Sequence, residues 1–133
     1  MVADQILTAN YKLPTAKKIV FLPPSKNSRK MNPYNVKITA IRKVQHTDLS
    51  ELYENPIEHT CDVQEGDSWI AVGGEKPDGL CDSAWESMRW FVEELAAGRG
   101  NFFDGWMKNP LSAMISCNDG FRPVSFLLEM CDV

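Results

Sequence analysis

Residues 82–98 read DSAWESMRWFVEELAAG and carry the clearest helical pattern in the chain. Its large apolar residues recur three or four positions apart, at Trp85, Met88, Val92 and Leu95. That spacing puts them on one face of an α-helix, which a soluble domain buries against its core. The sequence therefore predicts one main amphipathic helix over residues 83–97.

Both ends of this predicted helix carry recognisable signals. Ser83 and Glu86 have the spacing of a capping box, in which each side chain accepts a backbone N–H at the start of the helix. Gly98 can adopt the left-handed conformation that commonly ends a helix. We therefore expect the helix to begin at Ser83 and to end just before Gly98.

Segments on both sides of the helix have the apolar pattern of strands. They run from Val36 to about Val44, from Ser68 to Val72, from Ala113 to Cys117 and from Pro123 to Met130. A short helix is predicted from Thr47 or Asp48 to Asn55-Pro56, with its apolar face docked on the core. The last two strands form a hairpin, and the order of elements predicts an α+β fold: a small, mainly antiparallel sheet packed on one main helix.

Charge divides the chain into two parts. Its length of 133 residues suits a single domain, and 44% hydrophobic and 24% charged residues are typical of a globular one. Residues 1–43 contain nine Lys or Arg against one acid (+8), whereas the other ninety contain five bases against 17 acids (−12). Residues 1–33, punctuated by four prolines, are predicted to be a basic extended arm, and residues 34–133 a single compact domain.

These charges also limit the partners. An acidic domain repels phosphate backbones, so no nucleic-acid partner is expected. The arm is expected to lie over an acidic surface of its own domain or of a second subunit, which makes a homodimer a candidate. No apolar stretch approaches the roughly 20 residues of a membrane span, and the first residues lack a secretory signal. The sequence predicts a cytoplasmic protein without a membrane partner.

Three of the four cysteines occupy positions suited to chemistry. Cys61 lies in a loop, Cys81 precedes the main helix, whose N–H groups favour a thiolate, and Cys117 enters a turn. Cysteine is also a common buried residue, and Cys131 fits that role best. Because no Cys-x-x-Cys pair is present, spacing favours no metal; zinc or iron held by Cys61, Cys81 and Cys117 is the alternative.

Asp119 and Arg122 lie three residues apart in the turn between the last two strands. Asp119 is a candidate proton donor or acceptor, or else an acceptor of backbone N–H groups that shapes the turn. Arg122 is a candidate holder of an oxyanion, a carboxylate or a phosphate. Aromatic residues are predicted to form the walls of a substrate pocket, with core or subunit packing as the alternative: Trp85, Phe102, Phe103 and Trp106.

The chain from about Val36 to Glu129 resembles a family of small prokaryotic-type proteins for which no activity is assigned. The resemblance is carried by an ordered set of motifs: Cys61 with Glu65-Gly66-Asp67, Gly73-Gly74, Pro77-x-Gly79-Leu80-Cys81, Ala84-Trp85, Gly100-x-Phe102, Trp106-Met107, and Cys117-x-Asp119-Gly120-x-Arg122-Pro123-Val124-x-Phe126. It implies that Cys61, Cys81 and Cys117 belong to the common pattern and Cys131 does not. Where the family has Cys-Pro pairs, this chain has Cys61-Asp62 and Cys117-Asn118.

These observations predict a small cytosolic enzyme of lyase, isomerase or cyclase type. It would act on a small organic metabolite by acid–base chemistry, with Asp119, Arg122 and the three cysteines as catalytic candidates and no cofactor. Two alternatives stay open. One is a thiol-based metal-binding or redox module, and the other is a ligand-binding protein without catalysis.

Overall fold

The computed structural model describes residues 32–58 and 61–131. Four strands form one antiparallel sheet, in the spatial order β2-β1-β4-β3: β1 (Asn35–Lys43), β2 (Ser68–Ala71), β3 (Ser112–Ser116) and β4 (Val124–Cys131). The helices are α1 (Thr47–Tyr53) and α2 (Asp82–Ala96), and a 3-10 turn (Val72–Gly74) follows β2. The predicted α+β class is confirmed. Residues 1–31, nearly all of the predicted arm, lie outside the described residues.

The centre of the sheet is a long antiparallel pair between the first and last strands. β1 runs beside β4 from Asn35 opposite Cys131 to Lys43 opposite Val124, with an irregularity between Ala40 and Arg42. The shorter strands β2 and β3 form the two edges, β2 beside β1 and β3 beside β4. The predicted hairpin of the last two strands is confirmed.

The core lies between one face of this sheet and α2. Alternate residues of β1 and β4 point to that face because side chains alternate across a strand, and the predicted stripe of α2 covers them. The buried apolar side chains of the two layers are Val36, Ile38, Ala40, Ala71, Ala113, Val124, Phe126 and Leu128 from the sheet, and Ala84, Trp85, Met88, Val92, Leu95 and Ala96 from α2. The opposite face of the sheet carries exposed residues such as Lys37, Ile70 and Met114, as antiparallel sheets often do.

The start of α2 differs from the predicted one. The helix begins at Asp82, and the N-cap residue is Cys81, whose backbone oxygen accepts the N–H of Trp85 at 2.9 Å. No side chain caps this end, so the predicted capping box at Ser83 is wrong. Ser83 lies two residues after the N-cap position, inside the first turn, where it cannot cap the helix, and the carboxylate of Asp82 in the first turn complements the helix dipole instead.

The other end of α2 has the predicted glycine stop. Gly98 has a φ of 84°, and its N–H donates to the Leu95 carbonyl at 2.9 Å. The N–H of Arg99 donates to the Glu94 carbonyl, also at 2.9 Å, which completes a Schellman motif. A Cβ at Gly98 would lie 3.1 Å from the Tyr34 ring. Both the backbone conformation and the space therefore require glycine here.

The short helix α1 is oriented opposite to the prediction. None of its residues is buried, and its apolar side chains Leu49, Leu52 and Tyr53 are exposed. Its half-buried residues are polar: Ser50, and Glu54 at its end. The prediction that α1 docks its apolar face on the core is therefore wrong. Backbone bonds fix the segment before it, from the N–H of Val44 to the Pro123 carbonyl (3.1 Å) and from the N–H of His46 to the Phe121 carbonyl (2.8 Å).

Within the described residues, neither helix combines the length and the apolar character needed to span a membrane.

Candidate functional site

The turn between β3 and β4 brings together the two residues that the sequence singled out. Oδ1 of Asp119 accepts the backbone N–H groups of Phe121 (2.8 Å) and Arg122 (3.2 Å). This geometry is the turn-shaping role predicted as one of the two alternatives for Asp119. Its other oxygen, Oδ2, lies 3.6 Å from Nη1 of Arg122. The carboxylate therefore both shapes the turn and faces the guanidinium.

The guanidinium of Arg122 makes a bidentate ion pair with Glu54. Nη1 donates to Oε2 at 3.0 Å, and Nη2 donates to Oε1 at 2.5 Å. The two side chains are 11% and 16% exposed, so water competes little for these bonds. The hydrogen bonds from Arg122 lower the pKa of Glu54, although partial burial opposes them, and those to Glu54 raise the pKa of Arg122. Both groups are charged at neutral pH.

The Glu54–Arg122 pair joins α1 to the rest of the domain. Glu54 directly follows α1, and Arg122 lies 68 residues later, in the turn before β4. The hydroxyl oxygen of Ser50 is buried and meets no partner at hydrogen-bond geometry, but its proximity also helps to lower the pKa of Glu54. Polar groups therefore hold the inward side of α1.

Across from this ion pair, Lys43 at the end of β1 makes hydrogen bonds to the loop at residues 61–65. Its Nζ donates to the carbonyl oxygens of Cys61 (3.0 Å) and Val63 (2.9 Å), and its backbone N–H donates to Oε2 of Glu65 (2.9 Å). These bonds tie the loop that contains Cys61 to the central strand. The ammonium group of Lys43 is thus used to position backbone.

Between α1 and the loop at residues 61–65 lies an open cleft of about 970 Å³, a size that suits a small organic molecule. Its lining is predominantly polar and comes from the end of β1, from α1 and the segment after it, from the loop before β2, and from the turn before β4: Lys43, Val44, Gln45, Thr47, Ser50, Glu51, Glu54, Asn55, Pro56, Ile57, Gln64, Glu65 and Arg122. The cleft is therefore the candidate binding site among the described residues.

Negative charge is in excess in this cleft. Three carboxylates line it (Glu51, Glu54 and Glu65) against two bases (Lys43 and Arg122). Both bases already donate to protein oxygen atoms. Among the described residues, Glu51 is exposed and has neither a hydrogen-bond partner nor an ion-pair partner. The unpaired charge that a ligand can neutralise in this cleft is therefore the carboxylate of Glu51.

The three candidate cysteines lie apart from the cleft lining. Cys81 is exposed at the N-cap of α2, and Cys61 and Cys117 are half-buried against the core. The Cys61 sulfur accepts the N–H of Val63 at 3.5 Å, and the Cys117 sulfur that of Val124 at 3.4 Å. In residues 32–58 and 61–131, no three His, Cys, Asp or Glu side chains are grouped so that they could hold a metal ion. The alternative zinc or iron site gains no support from this geometry.

The predicted aromatic walls also lie away from the cleft. Trp85 and Phe102 are buried in the core, which was the alternative predicted for them. Phe103, 66% exposed, packs edge-on against Trp106 with ring centroids 5.2 Å apart. The loop that carries Phe102 and Phe103 has left-handed backbone at Asn101, Phe103 and Asp104 (φ of 54°, 53° and 52°). None of the four aromatic residues lines the cleft beside Arg122.

Sequence reasoning missed Glu54, Glu51 and Lys43. A pairing between Glu54 and Arg122 across 68 residues leaves no local pattern. The composition did carry one signal: Arg122 is one of five bases among ninety residues with 17 acids, so an arginine that is buried there is expected to pair with a carboxylate. That argument predicts a partner but does not say which acid it is.

No family model, no curated protein and no solved structure matches this chain. The family resemblance therefore stays a prediction.

Proposed function

We propose that this protein binds a small organic cation in the cleft between α1 and the turn before β4. The observation that carries the proposal is the state of the charged groups: Arg122 and Lys43 donate to protein oxygens, whereas Glu51 has no partner among the described residues. An amine neutralises that carboxylate without displacing Glu54 from Arg122. An anionic ligand would have to break the Glu54–Arg122 pair first.

The cleft residues have separate roles in this proposal. Glu51 and Glu65 supply carboxylate oxygens, and Gln45 and Gln64 supply amide groups on the cleft lining. The Glu54–Arg122 pair keeps α1 in place as one wall, and Lys43 keeps the loop at residues 61–65 in place as the other. Rigid walls lower the entropy cost of binding, because fewer side chains are ordered when the ligand enters.

Titration of the full-length chain with putrescine and spermidine, followed by amide NMR at fixed ionic strength, tests this function. We expect saturable shift changes confined to the cleft residues. Glu51→Gln should weaken binding about fivefold, the size of one exposed ion pair. Glu75→Gln, which removes an exposed acid outside the cleft, is the matched control. Titrations with citrate and phosphate test whether the cleft binds anions instead.

Two results would contradict the proposal. One is equal weakening by the two Gln variants, which would mean that amines bind the acidic surface without a specific site. The other is saturable binding of citrate or phosphate in the cleft together with no binding of amines. That second result would favour the predicted role of Arg122 as a holder of oxyanions.

The acid–base enzyme predicted from the sequence is the second candidate. The approach of Asp119 to Arg122 at 3.6 Å favours it, because the two groups that would share the chemistry are adjacent. Prolonged incubation with the bound amine separates the candidates: unchanged ligand spectra support binding alone, and new signals that disappear in Asp119→Asn support catalysis. The thiol module and the arm-mediated homodimer stay predictions; residues 1–31 lie outside the described part of the chain.

A further inference from the structure

The outward side of α1 is an apolar surface on a helix of only seven residues. Leu49, Leu52 and Tyr53 follow the spacing i, i+3, i+4, which places them on one face of the helix. Leu52 is 70% exposed and Tyr53 is 75% exposed. The face that normally binds a helix to its core therefore points away from the domain here.

Exposed apolar side chains are concentrated around this helix. Of the twelve large hydrophobic side chains that are exposed in the described residues, three lie on this seven-residue helix: Leu49, Leu52 and Tyr53. Val44 and Ile57, on either side of the helix in the chain, are also exposed but line the cleft. Single exposed apolar residues are ordinary on a protein surface, but a group of them on one element is typical of an interaction site.

The charge around the helix indicates the kind of partner. Asp48 lies in α1 one helical turn before Leu52, beside the apolar face, and α1 contains no Lys or Arg. The nearby acids Glu51, Glu54 and Glu65 line the cleft on the opposite side of the helix. Two copies of this chain joined symmetrically through α1 would bring their Asp48 carboxylates toward each other, which costs energy. A partner with basic residues around an apolar groove would gain both apolar burial and opposite charge.

We propose that the outward face of α1 inserts into an apolar groove with a basic rim on another protein. Leu49, Leu52 and Tyr53 fill the groove, and Asp48 meets Lys or Arg on its rim. This is the helix-in-groove mode, in which anchors at i, i+3 and i+4 give the affinity and the flanking charges give the orientation. The proposal does not depend on the ligand of the cleft, because the cleft uses the opposite side of α1.

The test uses the full-length chain with a photoreactive benzoylphenylalanine in place of Tyr53, expressed in the native host. The control carries the same group in place of Val72, an exposed apolar residue outside α1. A protein captured from position 53 and not from position 72 is then purified, and its affinity for the unmodified chain is measured by calorimetry. Capture alone does not support the proposal; the measured affinities of the variants test it.

We expect Leu52→Ser and Tyr53→Ala each to weaken that affinity at least tenfold, and Val72→Ser to leave it unchanged. Asp48→Lys should weaken it further as a charge reversal, and added salt should reduce the difference between Asp48→Lys and the unmodified chain. Circular dichroism checks that each variant is folded, and putrescine binding should be the same in all of them.

Three results would overturn the proposal. The first is that position 53 captures nothing beyond what position 72 captures. The second is that it captures a second copy of this chain, which would make α1 a self-association surface. The third is a captured protein whose affinity is indifferent to both Leu52→Ser and Tyr53→Ala. None of these results tests the proposed amine site in the cleft, which only the ligand titrations can contradict.

Discussion

The two helices of this domain have similar apolar spacing and opposite orientations. α2 buries its apolar stripe against the sheet, and no polar side chain caps its start. α1 exposes its apolar face and directs Ser50 and Glu54 inward, where Glu54 pairs with Arg122. α2 is held in place by apolar burial, whereas α1 is held by an ion pair and by backbone hydrogen bonds. Apolar spacing alone therefore predicts a helix but does not say which way its face points.

The largest expected effect comes from the same substitution made in both helices. Leu95→Ala removes a fully buried side chain of α2, and large-to-small changes in a core cost about 2–5 kcal/mol of the free energy of unfolding. Leu52→Ala removes an exposed side chain of α1 and should change that free energy by less than about 0.5 kcal/mol. Urea denaturation of the two variants measures the difference. Similar losses would mean that α1 packs on the core.

A smaller effect is expected at the end of α2. Gly98→Ala places a side chain on left-handed backbone and 3.1 Å from the Tyr34 ring, so it should cost about 1–2 kcal/mol of the free energy of unfolding. Gly105→Ala is the matched control, since Gly105 also has a positive φ but has open space around it. The thermal unfolding temperature of Gly98→Ala should be lower than that of Gly105→Ala. The reverse order would show that the close contact with Tyr34 does not matter.

The smallest and most local effect is expected in acid. The pKa of Glu54 lies below its ordinary value of 4.5, so its pairing stabilises α1 fully above that pH and the contribution is lost as the pH falls through the lowered pKa. Amide exchange should show α1 opening as the pH falls below 4.5, while α2 stays protected. In Glu54→Gln, α1 should be open at neutral pH already. A pH transition of α1 that is the same in both proteins would assign it to another group.

The sequence predicted those features of the fold that depend on local patterns. The stripe of α2, the glycine stop at Gly98 and the alternation in β1 and β4 each result from residues a few positions apart, and each is present in the structure. The capping box was wrong because Ser83 is only one residue from the true boundary, and the cap is set by the path of the backbone at Cys81. Helix boundaries are less well determined by local pattern than helices themselves.

The site was harder to predict because its key contacts are not local. The sequence identified Arg122 and Asp119 from their shared turn, and the structure places them together. It could not identify Glu54, whose role depends on how α1 is oriented on the domain, and it grouped aromatic residues with this turn that the structure places elsewhere. Aromatic spacing predicts burial or exposure, but tertiary packing decides which cavity a side chain reaches.

The pairing of the first strand with the last also has a consequence for synthesis. Because Lys43 pairs with Val124 and Asn35 with Cys131, the β1–β4 pair cannot form in full until residue 131 has been made, and β1 has only β2 as a partner before β4 is made. α2 ends at Ala96, so at 5–20 residues per second the ribosome adds the remaining 35 residues in roughly 2–7 s. Throughout that interval the apolar stripe of α2 has only part of its sheet to cover it. The stripe of α2 should therefore stay available to chaperones, and to aggregation of the nascent chain, until the final hairpin has emerged and paired with β1.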